Sequence, residues 1–218
     1  MRSAALLYDV RTIMTQPNNH YFSSDPQTAS QRRKLEVVLR GERWSFITDT
    51  GMFSPEHIDP GSRLLIEAME IEPGERVLDV GAGYGPVGLV AARMTGPDGL
   101  VTMVEVNQRA AALISENADL NAVDNIRVVV SDLFDPAEVG QHDVVVTNPP
   151  THAGKQMVLQ LLQRAAASLR VGGRVYLVGH KYLGIKSYQA ELERAVGPVD
   201  LIDRGAGYRV IMCLKTME

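Results

Sequence analysis

From residue 60 onward the chain alternates between two hydrophobic patterns. Short valine-rich runs, nearly continuously apolar, stand at Arg76–Val80, Leu100–Glu105, Ile126–Ser131, His142–Thr147 and Arg174–Val178. Such runs predict strands covered on both faces. Between them, apolar residues recur at helical spacing over Pro86–Met94, Gln108–Asn121 and Lys155–Leu169. Asp59-Pro60 opens an earlier helix whose stripe is Leu64, Leu65, Ala68 and Met69. This alternation predicts βαβ units and an α/β, doubly wound, mostly parallel sheet. After a last helix near Ser187–Ala195, the runs Val199–Asp203 and Tyr208–Leu214 flank Arg204-Gly-Ala-Gly207. They read as a C-terminal antiparallel hairpin and bring the sheet to seven strands. Upstream, Glu36–Arg40 and Arg43–Thr48 around Gly41-Glu42 predict a small N-terminal β-hairpin within residues 35–49. Residues 1–30, rich in Gln, Asn, Ser and Pro after Val10, read as a flexible segment in which Met14 is a candidate native start. Residues 31–218 then form a single domain. Strand order is not legible from pattern alone.

Composition narrows the class. With 218 residues and 45% apolar side chains, the chain can bury about 70% of its unfolded surface without a disulfide or a metal. The lone cysteine, Cys213, lies in the apolar stretch VIMCL, as expected of a reduced, cytoplasmic protein. No segment has the length of a membrane span, and the start lacks the apolar core of a signal peptide. The net charge of −4 hides an asymmetry: residues 60–147 hold 5 basic against 14 acidic side chains, whereas residues 148–218 hold 10 against 5. An acidic middle suits a cationic or neutral ligand better than a polyphosphate, and a basic end suits an acidic polymer.

The first chemical signal is the glycine loop between Val77 and Leu89. Gly81, Gly83 and Gly85 permit positive φ and keep side chains away from a ligand, and Pro86 fits a first helical turn. Glu105, at the end of the next strand, can accept both hydroxyls of a ribose. NAD is the rival, but its pyrophosphate would meet Asp79 and a strongly acidic segment. S-adenosylmethionine carries a sulfonium and an ammonium and no phosphate, and matches the charge better. Leu78-Asp79-Val80-Gly81-Ala82-Gly83-Tyr84-Gly85 resembles the first motif of the class I S-adenosylmethionine-dependent methyltransferases, which have a Rossmann-like fold. That resemblance implies that Gly81 and Gly83 pass the methionyl part, Glu105 holds the ribose and Asp132 meets the adenine amine. Asp79, Ala82, Val106 and Leu133 are counted into the same cofactor site.

The second signal is Asn148-Pro149-Pro150, directly after the fourth valine-rich run. Two prolines fix φ and donate no N–H, so the neighbouring carbonyls are rigid acceptors. The Asn148 side-chain oxygen and the Pro149 carbonyl can accept both N–H bonds of a conjugated amine and aim its lone pair at a methyl group. In-line transfer then needs positioning and electrostatics, with no metal. Asn-Pro-Pro resembles the motif of amino-methyltransferases acting on adenine, guanine or glutamine. In many of them an aromatic residue follows and stacks on the base. Thr151 stands there instead, followed by His152, with Phe53 and Tyr182 as other candidates for the stacking face.

Together, Gly51-Met-Phe-Ser54, Gly61-Ser-Arg-Leu-Leu65, Gly83-Tyr-Gly-Pro86, Asn148–Lys155 and Gly207-Tyr-Arg-Val-Ile211 resemble the small-domain ribosomal RNA guanine-N2 methyltransferases. The similarity covers roughly residues 20–215. It implies ribosomal RNA, or the small ribosomal subunit, as partner. Members often carry two tandem copies of the domain, and this sequence has room for one. Arg32 and Arg33 before the hairpin, with Lys155 and Lys181 after the Asn-Pro-Pro segment, are candidates for phosphate contact. Methylation of a protein glutamine or another amine, and a catalytically silent cofactor-binding partner, remain open alternatives.

Overall fold

The valine-rich runs become five strands of one sheet in the computed structural model, which describes residues 29–216; the run at Ile126–Ser131, expected to be covered on both faces, lies at the sheet edge and is only partly buried, with Arg127 exposed. The Met14 expectation, like most of the segment expected to be flexible, lies outside the described residues. In chain order the elements are β1 (Arg33–Leu39), β2 (Glu42–Thr48), α1 (Pro60–Ala68), β3 (Arg76–Val80), α2 (Pro86–Thr95), β4 (Leu100–Glu105), α3 (Gln108–Leu120), β5 (Ile126–Val130), α4 (Pro136–Val139), β6 (His142–Thr147), α5 (Lys155–Ala167), β7 (Leu169–His180), α6 (Ile185–Ala195), β8 (Val199–Gly205) and β9 (Tyr208–Leu214). A short 3-10 turn at Thr151–Ala153 precedes α5.

Strands β3 to β9 form a seven-stranded sheet in the order β5-β4-β3-β6-β7-β9-β8. The first five of these run parallel, and the β7-β9 and β9-β8 pairings are antiparallel. Alternate side chains feed two cores. Val144 and Val146 of β6 join the core under α1, α2 and α3, while Val145 joins the core under α5 and α6. The strand order reverses between β3 and β6, and open α/β sheets bind ligands beyond the carboxyl ends of the strands at such a point. Val80 and Thr147 are register partners there, and the Thr147 hydroxyl donates to the Val80 carbonyl at 2.8 Å. The glycine loop and the Asn-Pro-Pro segment therefore leave the sheet side by side.

Several boundaries differ from the pattern reading. The helix expected to reach Leu169 stops at Ala167, with Ser168 as its C-cap and the Ser168 hydroxyl donating to the Arg164 carbonyl at 3.1 Å. The next strand begins at Leu169 rather than Arg174, pairing with His142 before an irregular step. Helix α6 starts at Ile185, two residues early, since Gly184 at φ 86° can begin it. Both hairpins turn on two residues of positive φ, Arg40-Gly41 and Ala206-Gly207, where the sequence suggested Gly41-Glu42 and a four-residue link. Neither α4 nor the 3-10 turn was expected.

A two-stranded hairpin is marginal by itself. Here the buried face of β2 packs on the domain. Trp44 and Phe46 stack at 5.9 Å, Phe46 meets the edge of Tyr84 at 6.0 Å, and Arg93 lies over Trp44. Two amides one turn apart, Asn117 on α3 and Asn121 at its C-cap, hold the β2 backbone. Asn117 accepts from the Ile47 amide and donates to the carbonyls of Ile47 and Tyr84, while Asn121 accepts from the Ser45 amide and donates to its carbonyl. The hairpin thus braces the glycine loop from behind. No helix among the described residues is long and apolar enough to cross a membrane.

Candidate active site

A cleft of about 260 Å³ opens where the glycine loop, the end of β4 and the Asn-Pro-Pro segment meet. Gly81 and Gly83 take φ of 77° and 59°, which a side chain would strain. A Cβ on Gly81 would stand 3.7 Å from the Pro150 ring, so the two motifs touch across the floor of the cleft.

The floor is acidic. Asp79, at 1% exposure, leaves Oδ2 without a partner. Burial pushes its carboxyl up to about 7, opposed by the Gly88 amide of α2 and reinforced by the nearby Glu105. Glu105 is also buried, and its carboxyl is raised by desolvation against hydrogen bonds from backbone amides. Its Oε2 accepts from Gly83 N at 2.7 Å and its Oε1 from Asn107 N at 2.9 Å. Two buried carboxylates beside a loop stripped of side chains fit a ligand with positive charge and a ribose; they do not fit a pyrophosphate. That is the chemistry of S-adenosylmethionine. Ala82 and Val106 line the same space, as does Asp132, whose exposed carboxylate accepts from Leu133 N. Leu133 itself stands outside the lining and packs against the core under α5.

Asn148 sits at the rim with its amide fixed. Its Nδ2 donates to Asp59 Oδ2 and to Ser62 Oγ, both at 3.0 Å, across 89 and 86 residues of chain. Asp59 is the N-cap of α1, accepting from Ser62 N at 2.9 Å, and its other oxygen accepts from the Tyr208 hydroxyl at 3.2 Å. Neither Asp59 nor Tyr208 was singled out as a site residue from sequence. The helix-opening Asp-Pro and the Gly207-Tyr motif were visible, but their meeting depends on β9 lying next to β7, which pattern does not reveal.

The aromatic side of the cleft also differs from the sequence reading. Phe53 lines it at 38% exposure, and Thr151 and His152 enter through the 3-10 turn. Tyr182 is 78% exposed and outside the lining, with Lys181 over its ring at 4.8 Å. His180 takes the inner position instead, edge-on to Tyr208 at 5.1 Å. A Cβ on Gly207 would come within 2.7 Å of the His180 ring, so glycine there makes room for it. Lys155, Lys181, Arg32 and Arg33 all lie outside the lining. Arg32 pairs with Glu116, and Arg33 with Glu56 at 2.9 Å. No cluster able to hold a metal occurs among the described residues.

Comparison with known proteins agrees with this geometry. Residues 43–212 match the methyltransferase small domain family. The uncharacterized protein YbxB of Bacillus subtilis strain 168 is 36% identical over 91% of this chain and 99% of its own length. Ribosomal RNA small subunit methyltransferase C of Pseudomonas paraeruginosa is 31% identical over 86% of this chain and 56% of its own length. The Thermus thermophilus 16S rRNA N2 G1207 methyltransferase, solved with AdoMet and guanosine, superposes with a TM-score of 0.74 at 30% identity, over 87% of this chain and 52% of that one. The chain thus spans about half the length of the ribosomal RNA methyltransferases it matches. With the match running through the glycine loop, Glu105 and the Asn-Pro-Pro segment, the chain belongs to the methyltransferase small domain family.

Proposed function

We propose that this protein transfers a methyl group from S-adenosylmethionine to the exocyclic N2 amine of a guanine in small-subunit ribosomal RNA. The observation that carries the reading is the Asn148 amide, held with its NH2 turned into the protein so that Oδ1 is left as an acceptor at the cleft. The cofactor supplies an electrophilic methyl carbon on a sulfonium. Asp79 and Glu105 provide the negative environment that favours such a cation, and the Gly81 to Gly83 backbone allows close approach. Asn148 Oδ1 and the Pro149 carbonyl accept the two amine protons, which directs the nitrogen lone pair at the methyl carbon. The new N–C bond forms as the C–S bond breaks, and the surplus proton on nitrogen passes to solvent. Phe53 and His180 supply faces against which a base can rest. The ribosomal RNA methyltransferases among the relatives support the substrate class.

Mapping modified nucleosides in ribosomal RNA from a deletion strain and its parent tests the reading, together with transfer of tritiated methyl to small subunits from the deletion strain. Loss of one N2-methylguanine and its restoration in vitro are expected. An unchanged nucleoside profile, with label entering a protein glutamine instead, would overturn the substrate. An Asn148→Ala variant should bind cofactor and transfer nothing.

A further inference from the structure

A side-chain amide can serve as an acceptor toward an amine in only one of two orientations. Rotated by half a turn, Asn148 would present an N–H to the N–H of the incoming group. Nothing within Asn-Pro-Pro chooses between the two. Ser62 Oγ cannot choose either, because a hydroxyl both donates and accepts.

Asp59 can choose. An ionised carboxylate only accepts, so it admits Asn148 Nδ2 and repels Oδ1. Its own position is fixed from three sides: the Ser62 amide of α1, the Tyr208 hydroxyl of β9, and burial at 7% exposure. Gly61 is part of the arrangement, since a Cβ there would stand 2.7 Å from the Tyr208 ring and 2.9 Å from Asp59 Oδ2. A hydrogen bond from the amide NH2 to an anion also shifts electron density toward Oδ1 and makes it a stronger acceptor.

We propose that Asp59, held by Tyr208, is a positioning residue that sets the orientation and acceptor strength of the Asn148 amide. The proposal rests on the reading of Asn148 as the acceptor for the target amine. It assigns a second role to a residue whose visible task is to cap α1.

Two variants that can still cap the helix separate the roles. Asp59→Asn keeps size and loses charge; Asp59→Ser loses the reach to Asn148. The side-chain NH2 resonances of Asn148, identified by their loss in Asn148→Ala, report the contact directly by NMR. In Asp59→Ser they should move upfield and exchange faster with water. Single-turnover methyl transfer to small subunits from the deletion strain should fall about tenfold to a hundredfold in Asp59→Ser and less in Asp59→Asn, the range seen when partners of metal ligands are removed. The dissociation constant for S-adenosylmethionine, by calorimetry, should stay within about threefold, because an interaction confined to the reacting amine leaves cofactor binding alone. Unchanged Asn148 resonances, or a loss of cofactor affinity as large as the loss of rate, would overturn the proposal. If the wild-type protein transfers nothing to the subunits, the ribosomal RNA reading falls, and the resonances alone decide the orientation claim.

Discussion

Asp79 is a buried carboxylate with one oxygen unpartnered, and replacing it by asparagine should stabilise the protein while weakening its hold on the methyl donor. Its carboxyl rises from 3.8 to about 7 on folding, so the folded chain retains a proton that the unfolded chain gives up between those values. Stability contributed by the protonated form is complete in acid and disappears as pH rises toward 7. The difference of roughly three pH units corresponds to about 4 kcal/mol lost by pH 8, as an upper bound. An asparagine oxygen can still accept from Gly88 N, but the amide keeps some desolvation cost, so a gain of about 1–2 kcal/mol is the expected outcome. For a domain of this size that raises Tm by about 3–6 °C at pH 8 and by much less at pH 5. Calorimetry with S-adenosylmethionine should show affinity falling about tenfold or more at pH 8, as expected for loss of a buried charge facing a cation. A Tm at pH 8 equal to or below that of the wild type, with cofactor affinity intact, would refute the assignment of Asp79 as a strained anion facing the donor.

The same carboxyl makes wild-type cofactor binding pH-dependent: affinity should rise as pH increases from 6 to 8 while Asp79 ionises, and Asp79→Asn should flatten the titration. His142, buried with its ring held neutral down to about 4, acts in the opposite sense on stability. Its folded value lies below the unfolded 6.5, so stability is lost as pH falls from about 6.5 to 4, and His142→Gln should reduce that acid loss in urea melts. Asn117→Ala leaves the Ile47 amide and the Tyr84 carbonyl short of a partner and should cost about 2–3 kcal/mol in urea unfolding. For RNA, reversing Lys155 and Lys181 should raise KM for small subunits and flatten its salt dependence. Reversing Arg32 and Arg33, already paired with Glu116 and Glu56, should do less.

Local chemistry was legible wherever a single segment determined it. The buried strands announced themselves because strands covered on both faces need unbroken apolar runs, whereas β5, read the same way, lies at the sheet edge and is only partly buried; Gly81 and Gly83 were legible because their φ excludes other residues. Illegible were the meetings between segments distant in sequence. Asp59 reads as a helix start until β9 brings Tyr208 beside it. His180 looks like a strand end until Gly207 makes room for its ring, while Tyr182, the aromatic the sequence pointed to, stands in solvent. Arg32 and Arg33 read as a phosphate grip, but charge alone does not reveal that Glu116 and Glu56 approach them from other parts of the chain.

The amide pair at the C-terminal end of α3 has an implication for assembly. An outer strand normally offers a row of open hydrogen-bonding groups to any passing extended peptide. Along β2 that row is occupied at Ser45 and Ile47 by Asn121 and Asn117, so a helix plays the part of a missing third strand. Removing both asparagines would do more than loosen the hairpin: it would leave that rail open, a docking strip along which one copy could recruit the next.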